Sequence, residues 1–76
     1  MKRYYIVETT HEKELNSDLF YTQQILPVYC SYKVSTIDKQ PHKKRVVLES
    51  DSNASLDSMA YAIKIIAGKS KCERVE

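Results

Sequence analysis

The sequence predicts an α+β domain, a small antiparallel sheet of split β-α-β, ferredoxin-like connectivity with two helices on one face. Three observations carry this expectation. Two segments alternate apolar and polar residues with the period of half-buried strands. A later segment repeats apolar residues at helical spacing. The length of 76 residues leaves interior for one domain, residues 1–76, and no second.

Arg3 to Thr9 is dominated by aromatic and β-branched side chains that suit a pleated surface, and reads as the first strand. Thr10 to Leu26 reads as a helix. Thr9 with Glu12 makes a capping-box pattern, Leu15, Leu19, Thr22 and Leu26 share one helical face, and Pro27 ends the run. The turn signal Asn16-Ser17-Asp18 and the strand-forming Leu19 to Thr22 leave one alternative open, a β-hairpin, which would give an antiparallel sheet with one packed helix.

Val28 to Thr36 is the second strand, with Val28, Cys30, Tyr32 and Val34 on a buried face and Tyr29, Ser31, Lys33 and Ser35 on a wet one. The polar, proline-containing residues 37–43 read as a loop, and Lys44 to Ser50 as a third strand with Val46 and Leu48 inward. Leu56, Met59, Ala60, Ile63, Ile66 and Ala67 form one apolar helical stripe. Ser55 is its expected N-cap, Asp57 suits the positive end of the helix, and Gly68 stops it. Lys71 to Val75 is long enough for a short, charged edge strand.

Twelve basic residues against ten acidic ones give a formal charge of +2, too little to announce a nucleic-acid or membrane-surface binder. No apolar run approaches the ~20 residues of a membrane span, and the first residues lack the apolar core of a signal peptide. Cys30 and Cys72 form no Cys-x-x-Cys pair, and the predicted topology puts them on opposite sheet edges, roughly 14 Å apart. Two reduced thiols in a cytoplasmic protein are therefore expected. A zinc site would have to gather Cys30, Cys72, His11 and His42 without one short ligand spacing, so neither a metal nor another cofactor is expected.

The familiar catalytic signatures are missing. There is no glycine-rich phosphate loop, no His-Glu-x-x-His and no Gly-x-Ser-x-Gly, and Glu8, Glu12, Glu14 and Asp18 read as a solvated face rather than an acid–base set. Lys44 to Glu49 also lacks the aromatic and glycine pattern of an RNA-recognition strand. Six tyrosines accompany one phenylalanine and no tryptophan, and tyrosine is a frequent interface anchor. Tyr4 and Tyr5 point to opposite faces of one strand, so one of them must be exposed.

The functional expectation is a non-catalytic protein-binding module, a small regulator or inhibitor of a larger protein, with Tyr5, Tyr29 and Lys33 as contact residues. The alternative is a nucleic-acid-binding domain using Lys39, Lys43, Lys44 and Arg45, with Lys39, His42, Lys43, Lys44, Lys69 and Lys71 gathered at one end of the sheet. Self-association of two copies through an edge strand is the third expectation. In size and composition, though by no motif, the chain resembles small phage-encoded proteins that block host or CRISPR defence machinery.

Overall fold

Six elements follow one another in the computed structural model, which describes residues 1–25, 29–68 and 71–75. They are β1 (Lys2–Glu8), α1 (Glu12–Ile25), β2 (Ser31–Ile37), β3 (Gln40–Glu49), α2 (Asn53–Ala67) and β4 (Cys72–Val75). The strands form one sheet in the order β2-β3-β1-β4, with every neighbouring pair antiparallel. The chain is therefore α+β, with β2 and β4 as the sheet edges.

Alternation sorts the side chains onto two faces. Tyr5 and Val7 of β1 and Val46 and Leu48 of β3 are buried against Leu15 and Leu19 of α1 and Leu56, Met59, Ala60 and Ile63 of α2. Both helices thus cover the same face, and one apolar cluster joins the sheet to them. Tyr32, Val34, Ile66, Ala67 and Cys72 pack around its margin. The other face, which carries the even-numbered residues of β1 and the odd-numbered residues of β2, β3 and β4, has no covering element among the described residues.

Residues 12–25 are helical, which removes the hairpin alternative. Thr9 does not close a capping box, because its hydroxyl accepts from the N–H of His11 (3.0 Å). The second helix begins earlier than expected. Ser52, not Ser55, is its N-cap, with the Ser52 hydroxyl accepting from the Ser55 N–H at 3.2 Å. Asp57 therefore lies beyond the first turn rather than at the positive end of the helix, and it pairs with Arg3 of β1 at 2.6 Å, tying helix to sheet. Gly68 ends it at φ 90°, a conformation that only glycine adopts without strain, and its N–H donates to the Lys64 carbonyl.

The expected loop at 37–43 is instead a tight turn and a strand. Asp38 and Lys39 reverse the chain, Lys39 taking the left-handed region at φ 63°, and β3 starts at Gln40. Ile37 pairs with Gln40 but Thr36 pairs with Lys44, so Pro41, His42 and Lys43 are extra residues on the β2 side of β3, a bulge in that ladder alone, while Lys43 keeps its rung with Glu8 of β1. The proline is tolerated because a bulge needs no ladder donor there. The bulge is fastened to β1 by the Thr9 N–H, which donates to the His42 carbonyl at 2.8 Å.

The second strand starts at Ser31 rather than Val28, and its alternation stands. Cys30 is buried, Tyr32 and Val34 are half-buried, and Ser31, Lys33 and Ser35 are exposed. The expected placements of Leu26, Pro27, Val28 and Lys69 lie outside the described residues. The last strand is Cys72–Val75, one residue shorter than expected, and lies at the β1 edge.

Candidate functional site

The expected contact residues do not all reach the surface. Tyr5 is 2% exposed and belongs to the core, so it is withdrawn as a binding residue; its neighbour Tyr4 is on the uncovered face at 37% exposure. Tyr29 and Lys33 are exposed, at and beside the start of edge strand β2.

Tyr29 is held in an unusual way. Its N–H donates to the Ser55 hydroxyl at 3.2 Å, and its carbonyl accepts from the Ser50 hydroxyl. The two serines are themselves buried, and the Ser50 hydroxyl also accepts from the N–H of Ser52, the cap of α2. The backbone of Tyr29 is therefore pinned on both sides to the start of α2, while its ring stands 87% exposed. An aromatic side chain whose backbone is already ordered loses little entropy when a partner covers it.

One further residue borders this edge. The Gln23 side chain of α1 donates to the carbonyl of Cys30, fixing the helix beside the entrance to β2. Phe20 lies three residues earlier on the same flank of α1 and is 57% exposed. Sequence reasoning missed it because the helical face of Leu15, Leu19, Thr22 and Leu26 leaves Phe20 outside. A large aromatic one position off that stripe was the available signal. Tyr21 and Ile25 of α1 and Tyr61 and Ile65 of α2 are also exposed.

The basic residues are divided rather than gathered. Lys39 is exposed at the turn, and Lys43 and Arg45 point to the uncovered face, but Lys44 is only 4% exposed. Its ammonium donates to the Pro41 carbonyl at 2.8 Å and to the Thr36 hydroxyl at 3.0 Å. A bulge leaves carbonyls without ladder partners, and here a lysine takes one of them up. Lys44 is thus unavailable to a phosphate backbone. Lys43 and Lys71 share a shallow hollow with Glu8 and Glu73, so carboxylates interrupt the basic end of the sheet.

Glu14 and Asp18 line an open cleft between the helices with His11, Thr9 and apolar Val7, Leu15, Ile66 and Ala67, while Glu8 is on the opposite face of the sheet. The four carboxylates named above are therefore not one set. Among the described residues, no three His, Cys, Asp or Glu are grouped to hold a metal ion. None of the described helices is long and apolar enough to cross a membrane.

Cys30 and Cys72 are both free, the first buried and the second half-buried. Burial pushes both thiols up from their ordinary pKa, and nearby Lys64 partly offsets this at Cys72. Less thiolate at a given pH means slower reaction with electrophiles. At pH 8, alkylation by iodoacetamide is expected to be several-fold slower in the native protein than in denaturant, with Cys72 reacting before Cys30. Two alkyl groups should add in denaturant without reductant. A chain two hydrogens lighter that takes up none would contradict both the topology and the thiol assignment.

No protein-family model matches the chain, and no curated protein matches it in sequence.

Proposed function

We propose that the chain is a ferredoxin-like sandwich acting as a non-catalytic protein-binding module, a small regulator or inhibitor that engages a larger protein at the β2 edge. The order β2-β3-β1-β4 with a helix in each of two β-α-β crossings supports the fold name. The functional reading is carried by one observation. Tyr29 presents a nearly free ring on a backbone pinned by Ser50 and Ser55, at the mouth of a strand paired on one side only.

An edge strand offers half of its N–H and C=O groups to an added strand, and flanking aromatic residues supply the pockets and anchors that make such pairing specific. Tyr29 takes that position next to Cys30, whose carbonyl holds Gln23 of α1, and Phe20 is exposed one helical turn before Gln23. Lys33 on the outer face discourages indiscriminate edge pairing and favours an acidic counterpart.

Affinity capture from the native cell, with wild type and variants as baits, tests this reading. Tyr29→Ala combined with Lys33→Glu is expected to lose the partner by at least ~10-fold while the thermal midpoint stays within a few degrees, since neither side chain belongs to the core. Tyr61→Ala, an exposed tyrosine on α2 away from this edge, should retain it. Loss of the same partner from the Tyr61 variant, or retention by the double variant, would move the interface elsewhere.

A further inference from the structure

We infer that the uncovered face of the sheet is a self-association face, on which a second copy of this chain packs about a two-fold axis running along the strands between β1 and β3. This goes beyond the β2-edge reading and does not depend on it.

On this face Lys2 stands opposite Glu49, Tyr4 opposite Val47, Ile6 opposite Arg45, and Glu8 opposite Lys43. On β4, Val75 is beside Tyr4 and Glu73 beside Ile6. The middle of the face is thus an apolar strip of Tyr4, Ile6, Val47 and Val75, each partly accessible, closed at both ends by a lysine–glutamate pair. The two pairs are set in opposite senses. Lysine is on β1 at one end and on β3 at the other, so the four corners alternate in sign.

Such a pattern is complementary to itself. Rotation about the proposed axis lays β1 of one copy over β3 of the other at the same level. Each Lys2 then faces a Glu49, and each Glu8 a Lys43. Tyr4 lies over Val47, on the floor of a hollow that Lys33 and Glu49 also line. Arg45 lies over Ile6, one strand spacing of ~4.8 Å from the Glu73 of the opposite copy. A two-fold axis across the strands would also match the corners, but it would set Arg45 against Val47 and Glu73 against Val75. Arg45 and the opposite Glu73 would then lie two strand spacings apart, each over an apolar side chain without its counter-charge, which disfavours that arrangement.

The size of the face sets the strength. Four strands at ~4.8 Å spacing and about seven residues at ~3.3 Å give roughly 440 Å² per copy. Doubled, this falls below the ~1,200 Å² at which specific complexes become stable, so the dimer is transient and its dissociation constant falls in the micromolar range. Sheets packed face to face lie ~10 Å apart, with strands turned about 30°. Lysine and glutamate are long enough to meet across the resulting divergence at the corners.

Sedimentation equilibrium from about 1 to 500 µM at physiological salt tests the proposal. Wild type is expected to pass from monomer to dimer across this range. Lys2→Glu alone and Glu49→Lys alone should each weaken the homodimer by at least ~10-fold, because each sets two like-charged contacts at the interface. An equal mixture of the two variants should associate like wild type. Only in the mixed dimer does the introduced carboxylate at position 2 face the introduced ammonium at position 49, while the retained Glu49 of one chain faces the retained Lys2 of the other. The lysine–glutamate pair within each chain stays broken in that mixture, so recovery reports on contacts between chains.

Mixing Lys2→Glu with Glu8→Lys carries the same charges in the wrong register and should not recover. Circular dichroism of each variant confirms the fold, since Lys2, Glu8 and Glu49 are all exposed. A wild type that stays monomeric to the highest concentration, or a first mixture that does not recover, overturns the proposal. So does a single-stranded oligonucleotide that binds this face and leaves the chain monomeric.

Discussion

Ile63→Asp is expected to abolish the cooperative thermal melt. Ile63 has no accessible surface and stands between Met59 and Ala67 on the buried stripe of α2, facing the β1 and β3 residues of the core. The substitution removes a full aliphatic side chain, worth about 2–5 kcal/mol, and adds a carboxyl group with no partner, costing several more unless it is neutralised. A domain of this size holds only about 3–5 kcal/mol of net stability. Ile65→Asp, two residues on and exposed, is the matched control and should melt close to wild type. A cooperative melt in the Ile63 variant would show that the stripe is not the centre of the core. A lost melt in the control would point to burial of the outer face of α2.

The α2 stripe was legible because every signal in that segment agrees. Spacing, stop glycine and low polarity point to one helix, and only the cap was displaced, from Ser55 to Ser52. The reason for that displacement is local. Ser55 is drawn inward to accept from the Tyr29 N–H, which leaves the capping position to the serine three residues earlier. Helix α1 was harder to read, because its turn-forming residues argue against it. In the structure they are absorbed by the helix itself. The Asn16 side chain donates to the Glu12 carbonyl at 3.2 Å and the Thr22 hydroxyl to the Asp18 carbonyl at 2.8 Å. Polar residues that compete with a helix in an unfolded chain can decorate one once Leu15 and Leu19 have fixed it to the sheet.

The β2–β3 turn shows where pattern reading stops. A lysine in a run of three basic residues reads as solvated, yet Lys44 is buried because the bulge of Pro41 to Lys43 offers it a carbonyl and Thr36 a hydroxyl. Neither acceptor can be located without the register, and the register depends on the bulge. The candidate interface was legible only in part, as Tyr29 and Lys33. Tyr29 is exposed by strand alternation alone, but the serines that pin its backbone come from the β3–α2 connection and the first turn of α2, 21 and 26 residues further along the chain. Phe20 gains its meaning only from the contact of Gln23 with Cys30.

Tyr5→Ala is expected to destabilise the domain by about 3–5 kcal/mol, enough to leave a large fraction unfolded at room temperature, while Tyr4→Ala changes stability little. The two rings are adjacent on β1, and the sequence says only that they take opposite faces. It cannot say which is inward, because Tyr4 with Ile6 and Tyr5 with Val7 make equally apolar pairs. The structure decides through neighbouring strands and helices. Tyr5 pairs with Val46 and Arg74 on the helix-covered face, whereas Tyr4 pairs with Val47 and Val75 on the uncovered one. Arg3, on the same strand, reaches over to Asp57, and that ion pair, followed by a bond with the Tyr5 side chain, raises the guanidinium pKa. Losing the Tyr5 ring therefore opens a cavity beneath both β-α-β crossings and loosens the Arg3 link. Urea denaturation monitored by circular dichroism should place the Tyr5 variant far below wild type and the Tyr4 variant beside it. Sedimentation should rank them the other way, with Tyr4→Ala monomeric, because its ring covers Val47 of the second copy. Reversal of the two in denaturation would mean that β1 is turned over, with both its buried face and its self-association face misassigned.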